Sequence, residues 1–186
     1  LFTSNTSLVE PNVTITSLQI SEATNDILVQ NYTGTTNLIN PTLNFSNLNW
    51  TTGRFSGTIN RKYDYTPTII DSVGSVVNTT KLLLLDLRGD TIFDLSTDTS
   101  GTIAKQTVTR AIYNYNFKTG DERGPHTLKV KKFGKSFQTL AKQFSAATVE
   151  TLQVATNPFV NLTEVQVLNL SGIYFNQPTK VSYGNQ

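Results

Sequence analysis

The sequence predicts an all-β protein: a β-sandwich preceded by an Asn/Thr-rich strand segment and followed by one short helix. Three observations lead there. The 186 residues include 30 Thr, 18 Asn and 14 Ser, while Ala, Glu and Lys, which favour exposed helices, are scarce. Apolar residues fall at every second position in short runs, the period of a half-buried strand. The borders of these runs are rich in Gly, Asn, Asp and Ser, which supply turn geometry.

Residues 1–66 form the first expected unit. The runs Val13-Thr14-Ile15-Thr16-Ser17-Leu18-Gln19-Ile20, Asn40-Pro41-Thr42-Leu43-Asn44-Phe45-Ser46 and Gly53-Arg54-Phe55-Ser56-Gly57-Thr58-Ile59 alternate in this way. Leu43, Phe45 and Leu48, then Trp50, Phe55 and Ile59, read as successive strands feeding one apolar stripe, as in a β-solenoid or an intertwined fibre. The spacing does not by itself define a repeat. Apolar mass is modest, and a thin core needs disulfides, metal or association. The segment is therefore expected to hold only against another chain, with three copies favoured and Phe45, Trp50 and Phe55 as interface anchors.

Residues 67–156 form the second expected unit, since eleven of the 15 Lys and Arg lie between Lys81 and Lys142. Strands are predicted over 68–73, 76–86, 91–96 and 102–117, followed by a hairpin of 127–133 and 136–144. The turns between them fall at Gly74, Arg88-Gly89-Asp90, Asp98-Thr99-Ser100-Gly101, a loop over 120–125, and Gly134. Short strands at this spacing argue for a sandwich, with Leu83, Leu85, Ile103, Leu128, Val130 and Phe137 in its core. Gly74 and Gly101 suit a positive φ, and Asp98 can bond its own turn backbone.

Residues 157–186 carry the one helical signal. Asn161 can cap a helix and Glu164 can reach back to it, with Leu162, Val165 and Leu168 as the buried stripe and Gly172 as the stop. Ile173-Tyr174-Phe175 then begins a strand. The chain opens Leu1-Phe2-Thr3 with no Met, so it is expected to be processed or to belong to a longer protein.

With no Cys and a single His, His126, thiolate chemistry, disulfides, His-rich metal sites and a Ser/His/Asp triad are disfavoured, and no cofactor or metal is expected. No apolar run approaches the roughly 18 residues of a membrane span. Asp86, Asp90, Asp94 and Asp98 recur every four residues, which in strands and turns spreads them apart instead of pairing them for catalysis. Arg88-Gly89-Asp90 could be an adhesion tripeptide, but Gly-Asp between strands is ordinary turn chemistry. Lys129, Lys131, Lys132 and Lys135 form the densest basic patch. Its alternation with Leu128 and Val130 reads as a solvated strand face that discourages edge pairing, and a net charge of +2 argues against nucleic acid. Asn-x-Ser/Thr occurs eight times (Asn5, Asn12, Asn31, Asn44, Asn49, Asn78, Asn161 and Asn169), and these Asn read as turn residues in Thr-rich strands.

Four motifs occur in order: Ile70-Asp71-Ser72-Val73-Gly74-Ser75-Val76-Val77, Leu82-Leu83-Leu84-Leu85-Asp86, Thr97-Asp98-Thr99-Ser100-Gly101-Thr102-Ile103, and His126-Thr127-Leu128-Lys129-Val130-Lys131-Lys132-Phe133-Gly134. Together they resemble the carboxypeptidase-regulatory-like sandwich, related to transthyretin, over about half the chain. His126 stands where that family usually has Tyr. The resemblance implies an Ig/transthyretin-like accessory module without catalysis of its own. Thr156-Asn157-Pro158-Phe159-Val160-Asn161-Leu162-Thr163-Glu164, following Lys132-Phe133-Gly134, is similar to a junction in bacteriophage appendage proteins. The implied setting is a virion: a tail or capsid fibre, or a decoration protein, acting as spacer or display platform. Its implied partners are other copies, other virion proteins and a host surface glycan or receptor. The alternatives are a bacterial cell-surface adhesin or stalk and, in a different class, a polysaccharide-degrading tailspike.

Overall fold

The computed structural model describes residues 2–3, 12–21, 27–30, 33–50, 57–132 and 135–154. Phe55, Gly134, the C-terminal helix signal and the side chains of Lys135 and Phe137 lie outside the described residues. The described chain is nearly all β. Its strands are β1 (Phe2–Thr3), β2 (Val13–Thr16), β3 (Ile27–Gln30), β4 (Thr35–Ile39), β5 (Leu48–Trp50), β6 (Thr58–Ile70), β7 (Lys81–Leu85), β8 (Thr91–Ser96), β9 (Gln106–Tyr113), β10 (Asp121–Glu122), β11 (His126–Lys132), β12 (Lys135–Lys142) and β13 (Thr148–Gln153). The one helical piece among them is a 3-10 turn at Phe45–Asn47, whose N–H of Ser46 donates to the Asn44 side chain at 3.0 Å.

The first six strands alternate between two parallel sheets. Odd strands stack as β1-β3-β5, and even strands stack as β2-β4-β6 within a longer sheet ordered β10-β9-β6-β4-β2. This is a solenoid, and its even strands repeat every 23 residues, since Val13 pairs with Thr36 and Thr35 with Thr58. The sequence hides the repeat because the ladders are held by unlike residues: Val13, Thr36 and Ile59 share one inward rung, and Ile15, Leu38 and Arg61 the next. Polar rungs on the outer side are explicit, with Thr58 Oγ1 donating to Thr35 Oγ1 (3.3 Å) and Asn60 Nδ2 to Asn37 Oδ1 (3.1 Å). Ser17 and Asn40, also 23 residues apart, turn equivalent corners at φ 58° and 53°.

A second layer pair forms the sandwich. The outer sheet, ordered β12-β11-β7-β8, packs on the second half of β6 together with β9 and β13. Its core joins Tyr63, Tyr65, Ile69, Leu82, Leu84, Phe93, Val108, Leu128, Val130 and Phe144. The expected boundary at 66/67 falls inside β6, so no linker separates the two units. Ile59 of β6 lies in the solenoid core and Tyr63 in the sandwich core; on β9, Val108 faces the sandwich while Ala111 and Tyr113 face the solenoid.

Several expectations change. Leu82 and Leu84 are fully buried, whereas Leu83 and Leu85, the residues expected inside, are only half-buried on the outer face. A run of four leucines carries no phase, and the phase is set instead by Leu84 pairing with Leu128 and Leu82 with Val130. Ile103, Leu128 and Val130 are buried. The strand expected over 76–86 shortens to β7, because Val76 only bridges to Ile70 and residues 77–80 turn, fixed by the buried hydroxyls of Thr80 and Thr97. The strand expected over 102–117 shortens to β9, and it ends where Asn114 Oδ1 accepts the N–H groups of Asn116 and Phe117. Phe45 and Trp50, expected as anchors for another chain, are each only 8% exposed within this chain's own solenoid core. The two stacked parallel sheets supply the second wall that short strands considered singly lack.

Candidate functional site

Charge concentrates at one end of the sandwich, where the β7–β8 turn meets the segment leading into β11. Asp86 is its hub. Its Oδ1 accepts the N–H of Arg88 (2.8 Å) and of Asp90 (2.9 Å), and its Oδ2 accepts from the Arg123 guanidinium (3.2 Å). Burial of the Asp86 carboxyl pushes its pKa up, but the two N–H donors and the Arg123 cation outweigh burial and hold it below the usual carboxylate range. Arg123 also reaches Asp121 at 3.3 Å, Arg88 pairs with Asp121, and Arg110 pairs with Glu122.

The Asp86 turn is one of three built alike, at 71–74, 86–89 and 98–101. In each, the Gly N–H donates to the Asp carbonyl (3.2, 3.0 and 3.0 Å), and the Gly takes a φ of 89°, 91° or 74°. The Asp side chain accepts the N–H groups two and four residues on. Asp86 and Asp98 are held below the usual carboxylate range, and in all three turns Oδ1 is engaged by the backbone. A general acid needs the opposite, a raised pKa, and a nucleophile needs an oxygen free to face substrate. What this arrangement does is fix hairpin ends.

The remaining candidates are dispersed. Asp94 lies on β8, 3.3 Å from Lys81, and Asp98 belongs to its own turn, so the four acids do not converge. Arg88-Gly89-Asp90 caps the β7–β8 hairpin, with Arg88 bound to Asp121 and Asp90 3.9 Å from Arg123. Lys132 donates to the Asn78 carbonyl at 2.6 Å, and Lys129 and Lys131 stand on the outer face of β11. Among the described residues, no three His, Asp or Glu side chains cluster as a metal site would require. His126 is fully buried, packs edge-on against Phe144 at 5.2 Å, and places Nε2 3.0 Å from the Thr109 carbonyl. A carbonyl only accepts, so Nε2 carries the proton and the ring links β11 to β9.

Two features of the junction are invisible to motif reading. Arg61 occupies an inward solenoid position, its guanidinium 4.6 Å from the Phe45 ring centroid and its Nε donating to Tyr63 Oη at 2.9 Å. Phe45 in turn stacks on Tyr113 at 4.9 Å. Asn40, at a solenoid corner, donates to Asp64 (3.0 Å) and accepts the Asp64 N–H (2.9 Å). A charged residue in a strand normally reads as outward, so only the register of β4 on β6 reveals the role of Arg61.

No protein-family model and no curated protein matches the chain.

The geometry sets an acid response in two stages. Burial, only partly opposed by hydrogen bonding to Thr109 and the nearby Asp86 charge, lowers the His126 pKa below its ordinary 6.5. The unfolded chain then takes up a proton that the folded one refuses, so this contribution is complete above about pH 6.5 and is lost as pH falls below it. Asp64, Asp86 and Asp98 have lowered values against an ordinary 3.8, so their contribution is lost only below about pH 4. Thermal melts should show a fall between pH 7 and 5 that His126→Gln removes, then a second fall below pH 4 that it leaves in place. A melting temperature flat from pH 7 to 5 in the wild type would contradict the first stage.

Proposed function

We propose that this chain is a non-catalytic structural module of an extracellular assembly, and that the assembly is a bacteriophage virion appendage such as a tail or capsid fibre or a decoration protein. The observation that carries the structural half is the β6–β9 ladder, which runs through both cores without a linker. A continuous ladder transmits position and load between a solenoid and a sandwich, which a spacer or display platform needs. The virion setting is supported by the sequence resemblance alone.

Contact with other copies, three being the favoured number, and with neighbouring virion proteins is supported by the outer face of the long sheet. At the outward positions of β2, β4, β6 and β13 the only charged residues are Lys62 and Asp64, and Asp64 is paired with Lys105 at 3.1 Å. Depletion of charge is what marks the centre of an interface. Electron microscopy of particles labelled with an antibody to this chain should put the label on appendages. Label on bacterial cell walls without particles would favour the adhesin or stalk reading. Glycan cleavage lost in a folded Asp86→Asn variant would overturn the non-catalytic reading.

A further inference from the structure

The outward face of the outer sheet carries lysines that the fold alone does not explain. Lys81 of β7 and Lys131 of β11 are register partners on adjacent antiparallel strands, about 5 Å apart at the backbone. Lys129 stands on the same face, about 7 Å along β11. Like charges placed directly opposite destabilise a sheet. Asp94 offsets Lys81 at 3.3 Å, but neither Lys129 nor Lys131 makes an ion pair among the described residues. Beside these amines, Leu83 and Leu85 turn outward and half-buried, paired with Lys129 and Thr127. Leu83 and Leu85 thus form an aliphatic strip with Asp94 beside it on β8 and, on β11, Lys129 and Lys131, two cations with no ion pair among the described residues.

We propose that this face binds an anionic polysaccharide of the polyuronate class, with sugar carboxylates on Lys129 and Lys131 and the C–H faces of the rings against Leu83 and Leu85. This goes beyond the spacer reading, which needs no ligand. Nucleic acid fits less well. Among the described outward positions of these strands there is no Arg for bidentate phosphate contact and no aromatic ring for base stacking. A second copy fits less well too: among the described residues Asp64, Asp86, Asp121, Glu122 and Glu150 are each paired with a Lys or Arg of this chain, and the exposed Asp90, Asp94 and Asp98 lie on separate elements instead of forming one acidic face.

Titration of the full chain with polygalacturonate tests it. Saturable binding that weakens with salt is expected, falling at least tenfold when Lys129→Gln and Lys131→Gln are combined. That variant relieves the opposed charges, so its melting temperature should stay the same or rise, which separates lost binding from lost folding. The proposal is overturned if polygalacturonate does not bind, if the double variant binds it as well as wild type does, or if neutral dextran binds equally. Tighter binding of double-stranded DNA at matched charge would assign the face to nucleic acid instead, and a lowered melting temperature in the double variant would make the lysines structural. None of these outcomes bears on the spacer reading.

Discussion

Gly101→Val should lower the free energy of unfolding by about 3 kcal/mol or more. An L-residue in the left-handed region costs roughly 1–2 kcal/mol, and Gly101 holds a φ of 74°. An added Cβ would also lie 2.8 Å from the Ile69 carbonyl oxygen and 3.0 Å from the Val76 Cβ. The backbone cannot yield cheaply. The Ile69 N–H donates to the Gly101 carbonyl at 2.8 Å, while the Ile69 carbonyl accepts from Val77 at 2.9 Å. Overpacking of this kind adds roughly 1–3 kcal/mol. Gly89, at φ 91° with nothing within 4 Å of an added Cβ, is the control, and Gly89→Ala should cost only the backbone part. Urea denaturation compares the two; equal losses would show that the crowding around Gly101 is not felt.

Leu84→Ala should cost about 2–5 kcal/mol and Leu83→Ala about 1 kcal/mol or less. Leu84 is fully buried against the partner sheet and paired with Leu128, whereas Leu83 is half-buried on the outer face beside Lys129. Because the residues are adjacent and identical, composition and propensity cancel and only the phase of β7 remains. A larger loss at Leu83 would mean that the strand faces the other way.

The same pair shows how far the sequence could be read. An all-β chain, the strand at 91–96 and the antiparallel pairing of β11 with β12 were legible because alternation and turn residues coincide there. The phase of the leucine run was not, since four identical residues erase alternation; Lys81, exposed and in step with Leu83 and Leu85, was the one available clue. The Asp-x-x-Gly turns were legible singly, as at Asp98, but the identity of all three follows from side-chain hydrogen bonds. A solenoid was one of two readings, beside an intertwined fibre, of Leu43, Phe45 and Leu48 with Trp50, Phe55 and Ile59 as successive strands, but Leu43 lies on no strand and Phe45 on a 3-10 turn. The solenoid's 23-residue register was hidden because Thr36 stacks on Ile59 and Leu38 on Arg61, pairs related by position and not by chemistry. Asp86 with Arg123, and Arg61 with Phe45, join residues far apart in sequence, and nothing local marks either member.

Solenoid and sandwich should unfold as one cooperative body, because β6 and β9 belong to both cores. Trp50, the chain's single Trp, reports the solenoid by fluorescence, and amide exchange at Leu128 and Val130 reports the sandwich. The decisive measurement follows both probes in Leu38→Ala, a solenoid-core truncation expected to cost about 2–5 kcal/mol. A shared body predicts that the Trp50 transition and the exchange protection of Leu128 and Val130 fall by the same free energy. A Trp50 transition that shifts while the protection of Leu128 and Val130 stays at its wild-type value would contradict it.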